Sequence, residues 1–178
     1  MKKGIALALV GVSWLLVSAS GVGAQGAETA LKDGEGKSVG KASLRETKEG
    51  VLISVQVNGL APGLHAVHVH AVGKCEGPKF TSAGGHFNPG NKKHGLKSPD
   101  GPHAGDLPNM YVTKAGVGRL ETLTDGITIK AGEASVFDAD GSALVIHAGV
   151  DDYTTDPTGN AGDRIACGVI TKPAPKKK

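Results

Sequence analysis

Aromatic side chains are nearly missing from this chain of 178 residues. They make up 3% of it, and the one tryptophan, Trp14, falls in the N-terminal leader. Cysteine is scarce too, with only Cys75 and Cys167, and their spacing is nothing like a Cys-x-x-Cys metal clip. No apolar run is long enough to make a good transmembrane helix. Neither sign of charge dominates. The formal charge is +3, but it falls to about +1 without Lys2 and Lys3, and to about −3 when Lys172 and Lys176 to Lys178 are also set aside, so nucleic acid is not an expected partner.

What is present begins with a leader. Met1-Lys2-Lys3 is followed by an apolar stretch from Ile5 to Val17 and by small residues up to Val22-Gly23-Ala24. This pattern predicts a secretory signal peptide over 1–24, cleaved after Ala24, and an exported, periplasmic or extracellular protein. With no cysteine near the cleavage site, a lipid anchor there is not expected. Residues 25–171 suit one domain, and 172–178 form a Lys-rich, solvated tail that is a candidate for weak attachment to a cell surface. In an oxidising compartment, Cys75 and Cys167 default to a single disulfide.

Abundant glycine, 28 residues, together with short β-branched runs, predicts an all-β fold. Strand signals cover Ser38 to Thr47, Val51 to Asn58, Leu64 to Ala71, Met110 to Thr113, Val117 to Leu123, Ile127 to Ile129, Ala143 to His147 and Arg164 to Ile170. Residues 25–37 read as a short lead-in to the first of these strands. Two stretches lack periodicity, Val72 to Asn109 and Ala148 to Asp163. Loops this long inside a compact domain are usually functional. Together these features point to a β-sandwich or flattened barrel with a site grafted on one side.

The histidines point to the site. His65, His68 and His70 sit in one strand-like run, and the remaining four are His86, His94, His103 and His147. Side chains two apart on a strand share a face, so His68 and His70 can chelate one ion, while His65 has the other parity and is expected to brace. His86, His94, His103 and Asp106 lie in one loop and make a tetrahedral set of the kind zinc favours. His68, His70 and His147 come from strands, and His86 can add its second ring nitrogen. Four nitrogens suit copper(II). Asp151, just after His147, is a candidate acceptor that orients ligands from behind.

His68-Val69-His70, Gly84-Gly85-His86-Phe87-Asn88-Pro89, His103-Ala104-Gly105-Asp106-Leu107 and the run from Gly159 to Ile170 resemble the copper/zinc superoxide dismutases over nearly the whole mature chain. The resemblance implies an eight-stranded Greek-key β-barrel of immunoglobulin-like sandwich type, with a zinc loop and an electrostatic loop. It implies one copper per subunit on His68, His70, His86 and His147, and one zinc on His86, His94, His103 and Asp106, with His86 as the bridge. It also implies a Cys75–Cys167 bond, Arg164 beside the copper as the anion-docking arginine, His86 as the proton carrier, and Asp151 as the link between the sites. Superoxide is the implied substrate and a homodimer is open. The chain departs from the family at Ala66, Val67 and Ala71, where Gly, Phe and an acidic residue are usual. A metal-storing protein on the same fold is the rival reading, marked by a lost ligand or arginine. A surface module working through the tail is a third, independent of every histidine.

Overall fold

The computed structural model describes residues 26–173, so the expected signal peptide and the tail lysines Lys176 to Lys178 lie outside the described residues. Nine strand segments form one antiparallel sheet: β1 Gly26–Asp33, β2 Ser38–Glu46, β3 Val51–Asn58, β4 Gly63–His65, β5 Val67–His70, β6 Met110–Val112, β7 Val117–Thr124, β8 Ala143–His147 and β9 Arg164–Val169. Their order is β4-β6-β7-β3-β2-β1-β9-β8-β5. The first and last members of that order are consecutive in the chain, with only Ala66 between them. One broken strand therefore closes the sheet into an eight-stranded barrel. β3 to β4 and β7 to β8 are the crossing connections of a Greek key.

Alternation builds the wall. Val51, Ile53, Val55 and Val57 of β3 all point inward, between solvent-facing partners. They meet Leu44 and Ala42 of β2, Leu31 and Ala27 of β1, Ile146 of β8 and Val67 and Val69 of β5 in one core. Replacing Ile53 by Ala would cost about 2–5 kcal/mol by the usual transfer and cavity terms. Val67 packs fully buried in this core, and Ala66 is buried at the break, so both departures are absorbed locally.

The break at Ala66 splits the expected Leu64–Ala71 strand, because its two halves pair with different neighbours. β4 pairs with β6, while β5 pairs with β8. The short lead-in holds a strand that the sequence did not predict: residues 26–33 form β1, which pairs with β2 and β9. Ile127 to Ile129 is not a strand. Its isoleucines are buried in the core, but the backbone makes only an isolated bridge from Thr128 to Ser135 and donates from Ile129 to Glu46.

A second, smaller apolar cluster lies outside the barrel on β8 and β9. It joins Ala143, Val145 and Cys167 to Phe80, Ala83 and Cys75. The Cys75–Cys167 disulfide is formed, with Cα atoms 5.6 Å apart, and fastens the loop after β5 to β9.

Candidate metal centre

His68 and His70 share the outer face of β5, while Val67 and Val69 turn into the core. His147 ends β8 on the same outer side. The long loop after β5 folds back over this wall. It lays His86 and Asp106 beside β5 through bridges at His70 and His68. Val69 donates its N–H to Gly105 and accepts one from Phe87. Gly105 can only be glycine, since a Cβ there would strike the Val69 carbonyl oxygen.

Each histidine of the wall commits one ring nitrogen and leaves the other bare. His70 Nδ1 donates to the Gly84 carbonyl at 2.9 Å, and His147 Nδ1 to the Gly162 carbonyl at 3.2 Å. His68 Nε2 donates to Asp151 Oδ2 at 2.7 Å. His86 Nδ1 faces Asp106 Oδ1 at 2.9 Å. The remaining nitrogens, His68 Nδ1, His70 Nε2, His86 Nε2 and His147 Nε2, are buried with no partner. One ligand atom from each of these four residues lies within 4.8 Å of the others. Four convergent orphan acceptors are costly unless a cation takes their lone pairs.

Burial keeps His68, His70 and His147 neutral. It lowers His68 to about 4 against the opposing hydrogen bond from Asp151. Burial likewise lowers His147 to about 3, with the neighbouring His68 adding to the effect, and His70 to about 2. A neutral imidazole whose other nitrogen donates to an acceptor is held in the tautomer a metal needs.

The second set surrounds one carboxylate oxygen. Asp106 Oδ1 lies 2.9 Å from His86 Nδ1, 3.1 Å from His94 Nδ1 and 3.4 Å from His103 Nδ1, and the His86 and His103 nitrogens are 3.4 Å apart. Zinc–nitrogen bonds of roughly 2.0–2.1 Å give a tetrahedron with edges of about 3.3–3.4 Å. Four of the six edges, the three from Asp106 Oδ1 and the one between His86 and His103, thus stand at 2.9–3.4 Å, near that spacing. His68, His86, His94 and Asp106 also bring ligand atoms within 4.8 Å. His68 belongs with the first set, however, because its Nε2 is taken by Asp151 and its Nδ1 is the bare one.

Asp106 is pinned from behind. Its Oδ2 accepts the N–H groups of Gly95 and His103 at 2.8 and 3.0 Å. Burial alone would raise its pKa, but hydrogen bonds from His86, His94 and Gly95 outweigh it and hold the carboxyl well below the usual range. His94 is pushed the other way. Burial opposes its charge, yet contacts to Asp106 and Asp151 raise it to about 9.

Asp151 joins the sets. Its Oδ2 accepts from His68 Nε2, and its Oδ1 lies 2.9 Å from His94 Nε2. Gly159 makes room for this contact, because a Cβ there would strike both Asp151 Oδ1 and His94 Nε2. His65 lies behind His147, with Nδ1 2.7 Å from the His147 carbonyl oxygen and Nε2 2.8 Å from that of Ala61. Arg164 donates from Nη1 to the Phe80 carbonyl and from Nη2 to the Gly84 carbonyl, each at 2.7 Å. These partners carry no formal charge, so its cation is not neutralised by them. Gly84 also accepts from His70, which ties the arginine to the first set.

The structure therefore brings together every site residue expected from the sequence. It adds some that the sequence did not reveal. Asn109 clamps the Asp151 backbone from both sides, donating from Nδ2 to its carbonyl and accepting its N–H on Oδ1, each at 2.9 Å. The Phe80 and Gly84 carbonyls that hold Arg164 are backbone groups and leave no trace in residue identity.

Comparison with known proteins agrees with this geometry. The copper/zinc superoxide dismutase family profile matches residues 38–170. A copper/zinc superoxide dismutase from Aquifex aeolicus is 52% identical over 160 residues, covering 89% of this chain and 94% of its own. One from Caulobacter vibrioides is 42% identical over 147 residues, covering 81% and 84%. The crystal structure of a SOD-like protein from Bacillus subtilis superposes with a TM-score of 0.77 at 41% identity, covering 80% of this chain and 96% of that one. The Cu/Zn superoxide dismutase from Brucella abortus gives 0.67 at 30% identity, covering 82% and 99%.

Proposed function

The chain belongs to the copper/zinc superoxide dismutase family, and from that premise we propose how its own residues divide the work. The protein is an enzyme that converts two superoxide anions and two protons to oxygen and hydrogen peroxide. The observation that carries the assignment is the set of four buried, unpartnered nitrogens on His68, His70, His86 and His147, which fits copper. His86, His94, His103 and Asp106 fit zinc by their spacing. When bound, copper supplies the reversible one-electron chemistry of the reaction, which zinc cannot.

The remaining steps belong to the protein. Arg164 docks the anion by a charge-assisted hydrogen bond, its guanidinium aimed by two carbonyls. His86 uses both ring nitrogens between the two sets, and its Nε2 is the atom that takes up a proton and returns it to the departing peroxide. Asp151 fixes the rings of His68 and His94. The smaller apolar cluster and the disulfide hold Phe80 and Cys167 close together, so that Arg164, three residues before Cys167, keeps its aim.

The leader and the disulfide support export to a periplasm or the extracellular space. Leu64 and Tyr111, adjacent in register and 45% and 59% exposed, support a homodimer. The lysines of the tail support weak attachment to an anionic surface. Sedimentation and cell fractionation of the full chain, with and without the tail, check these three statements.

Superoxide turnover by protein reconstituted with copper and zinc, beside a His147→Ala control, tests the assignment. Copper-dependent activity that falls to background in the control is the expected result. One bound copper per chain without turnover would instead favour metal storage.

A further inference from the structure

The zinc set is sealed on every side but one. The side chains of His86, His94 and Asp106 are 1%, 0% and 0% exposed, whereas His103 keeps 7%. That exposed edge looks into a groove of about 610 Å³, with His103 and Asp106 among its lining residues. One wall is the loop carrying Leu96 and Pro102. The other is the end of β7 with Glu133 and Ala134. His68, His70 and His147 are not part of it. Arg164 lies in a separate depression of about 410 Å³, shared with Lys79 and Asp163.

The charges on the two rims differ. The groove carries Asp125 and Glu133 against Lys92, while the other opening carries Arg164 and Lys79 against Asp163. A divalent cation is drawn toward the first rim and repelled by the second, and an anion experiences the reverse. The Asp151 side offers no passage, because Gly159 packs directly against Asp151 and His94 there.

We propose that zinc reaches and leaves its ligands through this groove, past His103, and not by the Arg164 opening. The proposal rests on the zinc assignment above. His103 is then the last ligand to close on the ion, and Leu96 and Ala134 set the width of the way in. A residue that only lines a route changes the rates of binding and release by the same factor and leaves the affinity alone.

The test is zinc uptake by the metal-free full-length protein, followed by competition with a zinc-sensitive dye, and zinc release to a chelator from the loaded protein. Ala134→Phe narrows the groove and should slow both rates by about tenfold with the dissociation constant unchanged, since rates vary here through access and not through contacts. Leu96→Ala trims an exposed side chain, keeps the test open if the first variant folds poorly, and should quicken both rates. Asp125→Asn with Glu133→Gln should slow uptake by about a fewfold at low salt, and the effect should fade at high salt. Lys79→Phe, at the other opening, should leave zinc rates as they are.

Unchanged zinc rates in Ala134→Phe and Leu96→Ala, or slow zinc uptake in Lys79→Phe, would overturn the proposal. If the zinc assignment itself is wrong, the failure looks different: the wild-type protein takes up no stoichiometric zinc, or His103→Ala binds it as tightly as wild type.

Discussion

One carboxylate, Asp151, restrains an imidazole of each metal set. Replacing it with Asn keeps the shape and removes the charge. Loss of a partner behind a ligand weakens metal binding by about 10–100-fold, and Asp151→Asn should show that loss for zinc in a dye competition, with copper affected too through His68. Arg164→Ala removes a charge-assisted hydrogen bond to the substrate, worth about 1.5–3 kcal/mol, so kcat/KM should fall about 10–100-fold while copper content stays the same. Metal content and steady-state rates on one sample separate the two effects. At this scale the sequence was nearly sufficient to show which side chains converge, because parity on β5 and clustering in one loop are spacing signals. It could not reveal Asn109, whose role depends on where Asp151 arrives, nor the carbonyls of Phe80 and Gly84.

Two elements carry the site, the β5–β8 wall and the loop folded over it. Gly105 is where they press together, since its backbone occupies the space a side chain would need against Val69. Gly105→Ala should therefore lift the loop and lower both zinc affinity and melting temperature, whereas Gly36→Ala, which meets nothing within 4 Å but has a positive φ of 84°, should cost only its local backbone strain. Thermal melts of both variants check the contrast. The Cys75–Cys167 bond closes a separation of 92 residues. The chain-entropy account assigns such a loop roughly 4–5 kcal/mol, so the double Cys→Ser variant should melt far lower. It should also lose activity ahead of fold, as Phe80 and Gly84 release Arg164. Strands rich in Val and Ile were legible from alternation alone. β1 was not: its inward residues are Ala27, Thr29 and Leu31, and the first two are too small or too polar to mark a buried face. The split at Ala66 was hidden because it reflects a change of pairing partner, not of residue type. Ile127 and Ile129 misled for the opposite reason: they are buried as strand residues would be, but from a loop.

For the whole molecule, the metal-free state reveals the strain of gathering these groups. Its histidines titrate in opposite senses. Burial depresses His68 to about 4 and His147 to about 3 from 6.5. The unfolded chain therefore takes protons first, and stability falls as pH drops below 6.5. His94 is raised to about 9 despite its burial, so its contribution is complete below 6.5 and is lost as pH rises through 9. Asp106 and Asp151 lie below their usual range and add stability that is present above about 3.8 and lost under stronger acid. The melting temperature of the metal-free protein should peak near pH 6.5 and decline on both sides. Loading both metals should raise it at neutral pH, each ion adding about 4 kcal/mol of stability once its free concentration exceeds its dissociation constant a thousandfold, and the gain should fade in acid as the ligands take protons. The central claim is that two neighbouring donor sets, sharing His86, hold different ions. Anomalous scattering from crystals loaded with both metals, recorded at the copper and zinc absorption edges, tests this most directly. A copper peak should fall among His68 Nδ1, His70 Nε2, His86 Nε2 and His147 Nε2, and a zinc peak among the Nδ1 atoms of His86, His94 and His103 with Asp106 Oδ1. A zinc peak that takes His68 and leaves His103 free, or one metal filling both positions indifferently, would contradict it.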